Sequence, residues 1–343
     1  MKKSKMVNKK IQINFFQRKP RNGFSFSLEY IFEDIRKRLI DKIDARVFIS
    51  KCYNDGYYTK FINIIEAAFR QGNDINHVTG EIHFLNLLMR KKRVVLTVLD
   101  CGMMPRKTGL AKIIVKWLYL TGPVKRAKVV TSISEATKAE IVGYTGCNPD
   151  KIRVIPVAIA PVFQPVSKQF NKTKPVILHI GTGHNKNLLR LIESLNNIEC
   201  HLTIVGKLNP EYLEALSKFN VDYSNEYNVS NERLLEKYHE CDILTFVSTF
   251  EGFGMPIVEA NAVERVVVTS NLSSMPEVAN EAACLVDPFS IEDIRNGILK
   301  VINDDNYREA LIEKGRVNKL RFNPDLIANQ YFQLYQEVLS SKQ

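Results

Sequence analysis

Two glutamates, Glu251 and Glu259, bracket the turn Glu251-Gly252-Phe253-Gly254-Met255-Pro256. A carboxylate carries two acceptor oxygens, enough to hold adjacent hydroxyls of a ribose or sugar, and glycine amides beside it can donate to the same ligand. Pro256 stands where a first helical position is expected, which puts Glu251 at the loop mouth and Glu259 about two turns into a helix. A second turn, Gly181-Thr182-Gly183-His184-Asn185-Lys186-Asn187, directly follows the apolar run Val176–Ile180. Small residues there let backbone approach a ligand. Lys186 is expected at the start of the next helix, where its ammonium and unsatisfied N–H groups would meet a phosphate together. A Gly-x-Gly by itself fits a plain βα turn equally well. The glutamate-bracketed turn after a buried strand is the more specific arrangement.

These turns need strands to present them, and the chain supplies strands alternating with helices. Strand-like runs at 11–16, 45–50, 75–78, 93–99, 129–132 and 152–157 alternate with helical patterns at 25–40, 58–69, 82–89, 110–120 and 135–142. After a Pro-punctuated stretch the short apolar runs resume at 176–180, 202–205, 243–247, 266–269 and 283–286, followed only by helical patterns at 291–302, 306–320 and 325–339. Such alternation predicts parallel sheets built from βαβ units. In open sheets of this kind, ligands bind at the carboxyl ends of strands. The expected organisation is an N-terminal domain over 1–160, a linker over 161–175, a C-terminal domain over 176–320, and a last helix over 321–343 packing back on the N-terminal domain.

Composition narrows the class. The 343 residues are 45% hydrophobic and 25% charged, ordinary for a globular protein, which excludes a disordered chain. No apolar run approaches the ~18 residues of a spanning helix, and the basic start lacks the core of a signal peptide, so the chain is expected in the cytosol. Six cysteines, each more than forty residues from the next, form no zinc pattern and are expected to be reduced thiols. The net charge of +11 is unevenly held: residues 1–170 carry 31 Lys+Arg against 13 Asp+Glu, while 171–343 are net acidic. The basic half should therefore face something anionic: nucleic acid, a phospholipid surface or a phosphorylated substrate.

The run Glu251-Gly252-Phe253-Gly254-Met255-Pro256-Ile257-Val258-Glu259 resembles the Glu-x7-Glu signature of retaining glycosyltransferases, most closely glycosyltransferase family 4 (group 1). Gly181-Thr182 with Lys186-Asn187 resembles that family's diphosphate loop, and NLSSMPEV (271–278) and AACLVDP (282–288) resemble the stretches after the signature. The resemblance implies an α/β fold of two Rossmann-like domains facing each other across a cleft, the GT-B arrangement. It implies a nucleotide-sugar co-substrate, UDP- or GDP-linked, bound by the C-terminal domain, and a glycan or lipid-linked acceptor on the N-terminal one. By position, Glu251 and Lys186 would be catalytic. Gly181, Thr182, Lys186, Asn187, Gly252, Phe253, Gly254, Met255 and Glu259 would bind the donor, with Glu259 on the ribose. No further cofactor and no metal are expected: the sequence has no Asp-x-Asp pair to hold diphosphate through a cation.

Two departures stand out. Relatives commonly pair the loop lysine with a second basic residue, where this chain has His184 and Asn185. Relatives also commonly carry Thr-Val-His-Asp on an N-terminal strand, where this chain reads Thr97-Val98-Leu99-Asp100. Gly23, His83 and Asp100 are then the candidates on the acceptor or sugar side, with His77 beside them. The missing histidine keeps two alternatives open, a catalytically silent nucleotide-sugar-binding lobe and a non-transferring enzyme such as an epimerase. The basic run 90–93 and the stripe Leu110, Ile113, Ile114, Trp117, Leu118 with Lys112 and Lys116 fit either a core helix with a solvated lysine face or a contact with an anionic membrane surface. The membrane reading would hold the protein peripherally at the inner face of the cell membrane. No nucleic-acid recognition motif accompanies the charge, so nucleic acid is not the expected partner.

Overall fold

The structure is a computed structural model and describes residues 10–20, 27–104 and 108–341; Gly23 lies outside them. The described chain divides into two compact units, one running to Ile133 with Thr137–Pro156 and everything from Pro324 onward, the other Ser134–Ala136 with Val157–Asn323.

In the first unit β1 (Ile11–Gln17), α1 (Ser27–Arg38), β2 (Ile43–Ile49), α2 (Tyr57–Arg70), β3 (Ile75–Val78), β4 (Val94–Val98), α3 (Gly109–Lys116), α4 (Gly122–Arg126), β5 (Val129–Ser132), α5 (Glu135–Thr145) and β6 (Ile152–Val154) follow in order. The sheet is wholly parallel, ordered β2-β1-β3-β4-β5-β6. Every residue of β3 and β4 is buried, which explains why they read as continuous rather than alternating runs. The C-terminal helix Pro324–Ser340 covers this sheet through Ile327, Tyr331, Leu334, Tyr335 and Val338, the spacing of one helical face.

His77 anchors that covering helix. Its Nδ1 is 2.9 Å from the Tyr335 hydroxyl and its Nε2 2.7 Å from Thr97 Oγ1. The rings of Phe15, Phe32, Tyr331 and Tyr335 surround it, and burial pushes its pKa down to about 3. Residues 82–89, expected as a helix, form instead a 3₁₀ segment, His83–Leu88. The helix expected over 110–120 is α3 followed by one π-helical turn, Trp117–Thr121, that runs into α4. Glycine is needed at the junction: a Cβ on Gly122 would lie 2.9 Å from the Trp117 carbonyl oxygen.

In the second unit the order is β7 (Val176–Ile180), α6 (Leu188–Ser194), β8 (His201–Val205), α7 (Pro210–Lys218), β9 (Tyr223–Glu226), α8 (Asn231–Glu240), β10 (Ile243–Phe246), α9 (Met255–Ala262), β11 (Val266–Ser270), α10 (Met275–Ala279), β12 (Cys284–Val286), α11 (Ile291–Asn303) and α12 (Asp305–Asn318). This sheet is also parallel, ordered β12-β11-β10-β7-β8-β9. Successive strands therefore step outward from β7 through β8 to β9, then return to its other side at β10. The reversal between β7 and β10 is a topological switch point, where neighbouring βα loops diverge and leave a crevice at the strand ends. Ile177, Leu202, Ile204, Ile243, Val266 and Val268 pack beneath it with apolar residues of α6, α7 and α11.

Candidate functional site

The two turns read from the sequence leave β7 and β10, the strands flanking the switch point, and they are bonded to each other. Lys186 Nζ lies 2.6 Å from Glu251 Oε1, in a pair whose side chains are only 22% and 16% exposed. Asn185 adds a second donor: its Nδ2 reaches the same oxygen at 3.2 Å and the Phe250 carbonyl at 3.0 Å. The Thr249 amide closes the seam by donating to the Asn185 carbonyl at 2.8 Å. Lys186 also sits over the Phe246 ring, 4.6 Å from its centre. A cation fixed between a carboxylate and an aromatic face is well placed to meet a second anion.

Each turn has its own backbone device. Gly181 has φ +91°, and a Cβ there would fall 3.0 Å from Lys186 Cε, so the lysine stem runs across bare backbone. Lys186 belongs to a 3₁₀ turn, His184–Lys186, and α6 begins only at Leu188 after Asn187 in the left-handed region. Lys186 therefore precedes the helix rather than starting it. In the second turn Gly254 takes φ +118° as the N-cap of α9, which begins at Met255, so Pro256 holds the second helical position, one later than expected. The Ser273 and Ser274 hydroxyls donate to the Glu251 carbonyl at 2.6 and 3.0 Å, and Ser274 also to the Phe253 carbonyl. The 271–278 stretch thus braces the turn from behind.

Several sequence candidates have side chains already committed to the protein. Asn187 is buried; its Nδ2 donates to the carbonyls of Val247 and Pro288 and its Oδ1 accepts from Arg190. Thr182 Oγ1 donates to the Lys207 carbonyl. The Phe253 ring packs edge-on against Phe322 at 5.6 Å. What these residues can offer a ligand is backbone. Glu259 is different: its Oε2 accepts from the Tyr238 hydroxyl at 2.5 Å, and burial raises its pKa to about 7 despite that bond. Tyr238 was invisible to motif reading; a tyrosine on an amphipathic helix carries no signal of its own.

In the first unit, His83 is buried with Nδ1 donating to the Tyr119 carbonyl at 2.7 Å, and burial lowers its pKa. Asp100 is exposed just past β4, accepting from the Gly102 amide at 2.8 Å. Sequence reading missed Glu140 on α5, whose pKa rises to about 7 through burial and then through the charge of Asp100. The stripe on α3 faces outward. No residue of α3 is buried, Leu110 is 78% and Trp117 57% exposed, and Ile113 and Ile114 are exposed with them. Of the stripe only Leu118 packs against the core, together with Val115, so the segment rests on the core by another face and leaves the rest of the stripe outward. Tyr57, Tyr58 and Phe61 at the start of α2 are exposed too.

Among solved structures, the fold is similar to sucrose-phosphate synthase from Thermosynechococcus elongatus, with a TM-score of 0.77 and 15% identity over 96% of this chain and 100% of that one. It is similar to Anabaena HepE in complex with UDP and glucose, with a TM-score of 0.76 and 15% identity over 95% of this chain and 100% of that one. The two Rossmann-like domains are those of the GT-B fold. Residues 163–318 match the family of glycosyl transferases group 1. The chain is 23% identical over 243 residues, 64% of its length, to the serotype-specific mannosyltransferase WbdA of Escherichia coli, and covers 30% of that protein. It spans less than a third of the length of the curated relatives it matches first. Residues 163–318 therefore carry a group 1 glycosyl transferase domain, within a chain of GT-B fold.

One prediction concerns the bare backbone at the first turn. Gly181→Ala should cost about 1–2 kcal/mol of stability, since an L side chain is strained at this φ. It should also weaken nucleoside diphosphate binding by displacing the Lys186 stem. Calorimetry and titration read the two effects separately, and an unchanged melting temperature would refute the assigned backbone geometry.

Proposed function

We propose that the chain is a retaining glycosyltransferase that moves a hexose unit, such as mannose, from a UDP- or GDP-linked donor to a glycan or lipid-linked acceptor in bacterial cell-surface polysaccharide synthesis. The observation that carries this reading is the Lys186–Glu251 pair at the β7/β10 switch point. Cleavage of the sugar–phosphate bond develops negative charge on the departing diphosphate. A fixed ammonium and the turn amides stabilise that charge without reorganising during the reaction. As diphosphate arrives, Lys186 exchanges one oxyanion partner for another, which frees Glu251 to orient the sugar hydroxyls. Glu259 takes the ribose. Same-face attack by the acceptor needs no enzyme nucleophile, and none is assigned; no metal is assigned either.

The test is incubation with a panel of UDP- and GDP-sugars, with lipid-linked and free glycan acceptors, followed by mass spectrometry. Transfer that persists in chelator supports the reading, and failure of every nucleoside diphosphate to bind refutes it. Binding without turnover of any donor would favour the silent lobe suggested by Leu99.

The acceptor side of the proposal is a peripheral contact with an anionic membrane surface. Its support is the outward apolar stripe of α3 with Lys112 and Lys116, together with the basic run 90–93. Ile113→Ser with Trp117→Ser should reduce co-sedimentation with phosphatidylglycerol vesicles at least several-fold and leave nucleotide binding unchanged. Unchanged sedimentation would remove the membrane contact and leave the transferase reading standing.

A further inference from the structure

The Glu259 carboxylate is held from one side only. Tyr238, on α8, is 0% exposed, and its hydroxyl meets Glu259 Oε2 at 2.5 Å. The Tyr238 ring is itself fixed by Phe163, edge-on at 5.4 Å and 87°. Glu259 Oε1 makes no hydrogen bond to any described residue, and Glu259 as a whole is only half-buried. One oxygen is therefore tied down and the other presented.

We propose that Tyr238 is a positioning residue for the donor nucleotide: its hydroxyl locks the Glu259 carboxylate so that the second oxygen accepts from a ribose hydroxyl. This rests on the reading of Glu259 as the ribose residue. A phenol donating to a carboxylate favours the ionised, acceptor-only form, while burial opposes it. Both effects act on Glu259, whose pKa lies at about 7. Tyr238 is the titratable group that bears on it, with Cys241 beyond bearing on Tyr238 in turn. The elements packed against α9 are β10, β11, α10, α12 and the 3₁₀ turn Lys319–Phe322; Glu277 of α10, the charged residues of α12, and Lys319 and Arg321 of that turn do not shift it. Protonation removes acceptor capacity, so nucleotide affinity should fall as pH drops through this range. Without the tyrosine hydroxyl, the carboxyl should protonate at higher pH, and the fall should begin earlier.

The experiment titrates UDP and GDP, and their 2′,3′-dideoxy counterparts, into the full chain and into Tyr238→Phe and Glu259→Gln between pH 6 and 8.5. Tyr238→Phe is expected to weaken binding of the preferred ribonucleotide about 5- to 10-fold at pH 7, to move the midpoint of the pH dependence upward, and to narrow the preference for ribose over dideoxyribose. A purely structural tyrosine would lower the melting temperature without moving that midpoint. An unchanged midpoint and sugar preference in Tyr238→Phe, with Glu259→Gln weakened, overturns the role of Tyr238 alone. Unimpaired binding in Glu259→Gln, or no binding by the unaltered chain, overturns the ribose reading and the role of Tyr238 with it.

Discussion

Lys186→Ala is expected to weaken nucleoside diphosphate binding about 10- to 100-fold, the worth of one or two charge-assisted hydrogen bonds at roughly 1.4 kcal/mol per decade. The turn holds no second lysine or arginine to substitute: its other side chains are Thr182, His184, Asn185 and Asn187, of which Thr182, Asn185 and Asn187 are committed to bonds within the protein. The same change strips the half-buried Glu251 of its charged partner, with Asn185 still donating to it, and leaves a carboxylate that repels the incoming diphosphate. The double variant Lys186→Ala with Glu251→Ala should therefore bind nucleoside diphosphate better than Lys186→Ala alone. That recovery, read by titration calorimetry, is what a merely structural ion pair would not produce. Equal affinity of Lys186→Ala and the unaltered chain would contradict the assignment outright.

The second large effect separates the two glutamates. Glu251→Ala should lower turnover about 10²- to 10³-fold, in the range measured for removing one electrostatic stabiliser of a transition state. Nucleotide affinity should change little, since the proposal assigns Glu251 to the sugar. Glu259→Ala should do the reverse and raise the dissociation constant about tenfold, with a smaller change in turnover at saturating donor. The readout is the split between kcat and KM. Proportionate loss in both variants would mean that the two carboxylates act on one feature of the substrate, and the assigned division of roles would fail.

The strands that carry the site were legible because parallel strands buried on both faces read as short apolar runs, as at 176–180 and 243–247. The switch point was not legible, since strand order is a property of tertiary pairing. Strand β9 (Tyr223–Glu226) went unread for the opposite reason. It lies at the sheet edge, is mostly polar and half-exposed, and shows neither alternation nor an apolar run. The α3 stripe shows a deeper limit. Helical periodicity reports that an apolar face exists and cannot say whether it faces the core or the solvent.

At the site, glycine and proline announced the turns because their backbone needs are local. The bond partners were not announced. That Asn187 braces β10, that Ser273 and Ser274 hold the Glu251 turn, and that Tyr238 underlies Glu259 are contacts between segments 20 to 100 residues apart in sequence. His77, weighed as a group able to reach a substrate, is a packed core histidine; its neighbours Tyr331 and Tyr335 come from the far end of the chain.

Nucleoside diphosphate release from a panel of UDP- and GDP-sugars, by the unaltered chain and by Glu251→Ala side by side, tests the central claim most directly. One donor should be turned over, and the glutamate variant should release product from it at least about 100-fold more slowly while still binding the nucleotide. Release at undiminished rate by Glu251→Ala, or from no donor by the unaltered chain, would contradict the claim that these two turns form the site where the sugar is transferred.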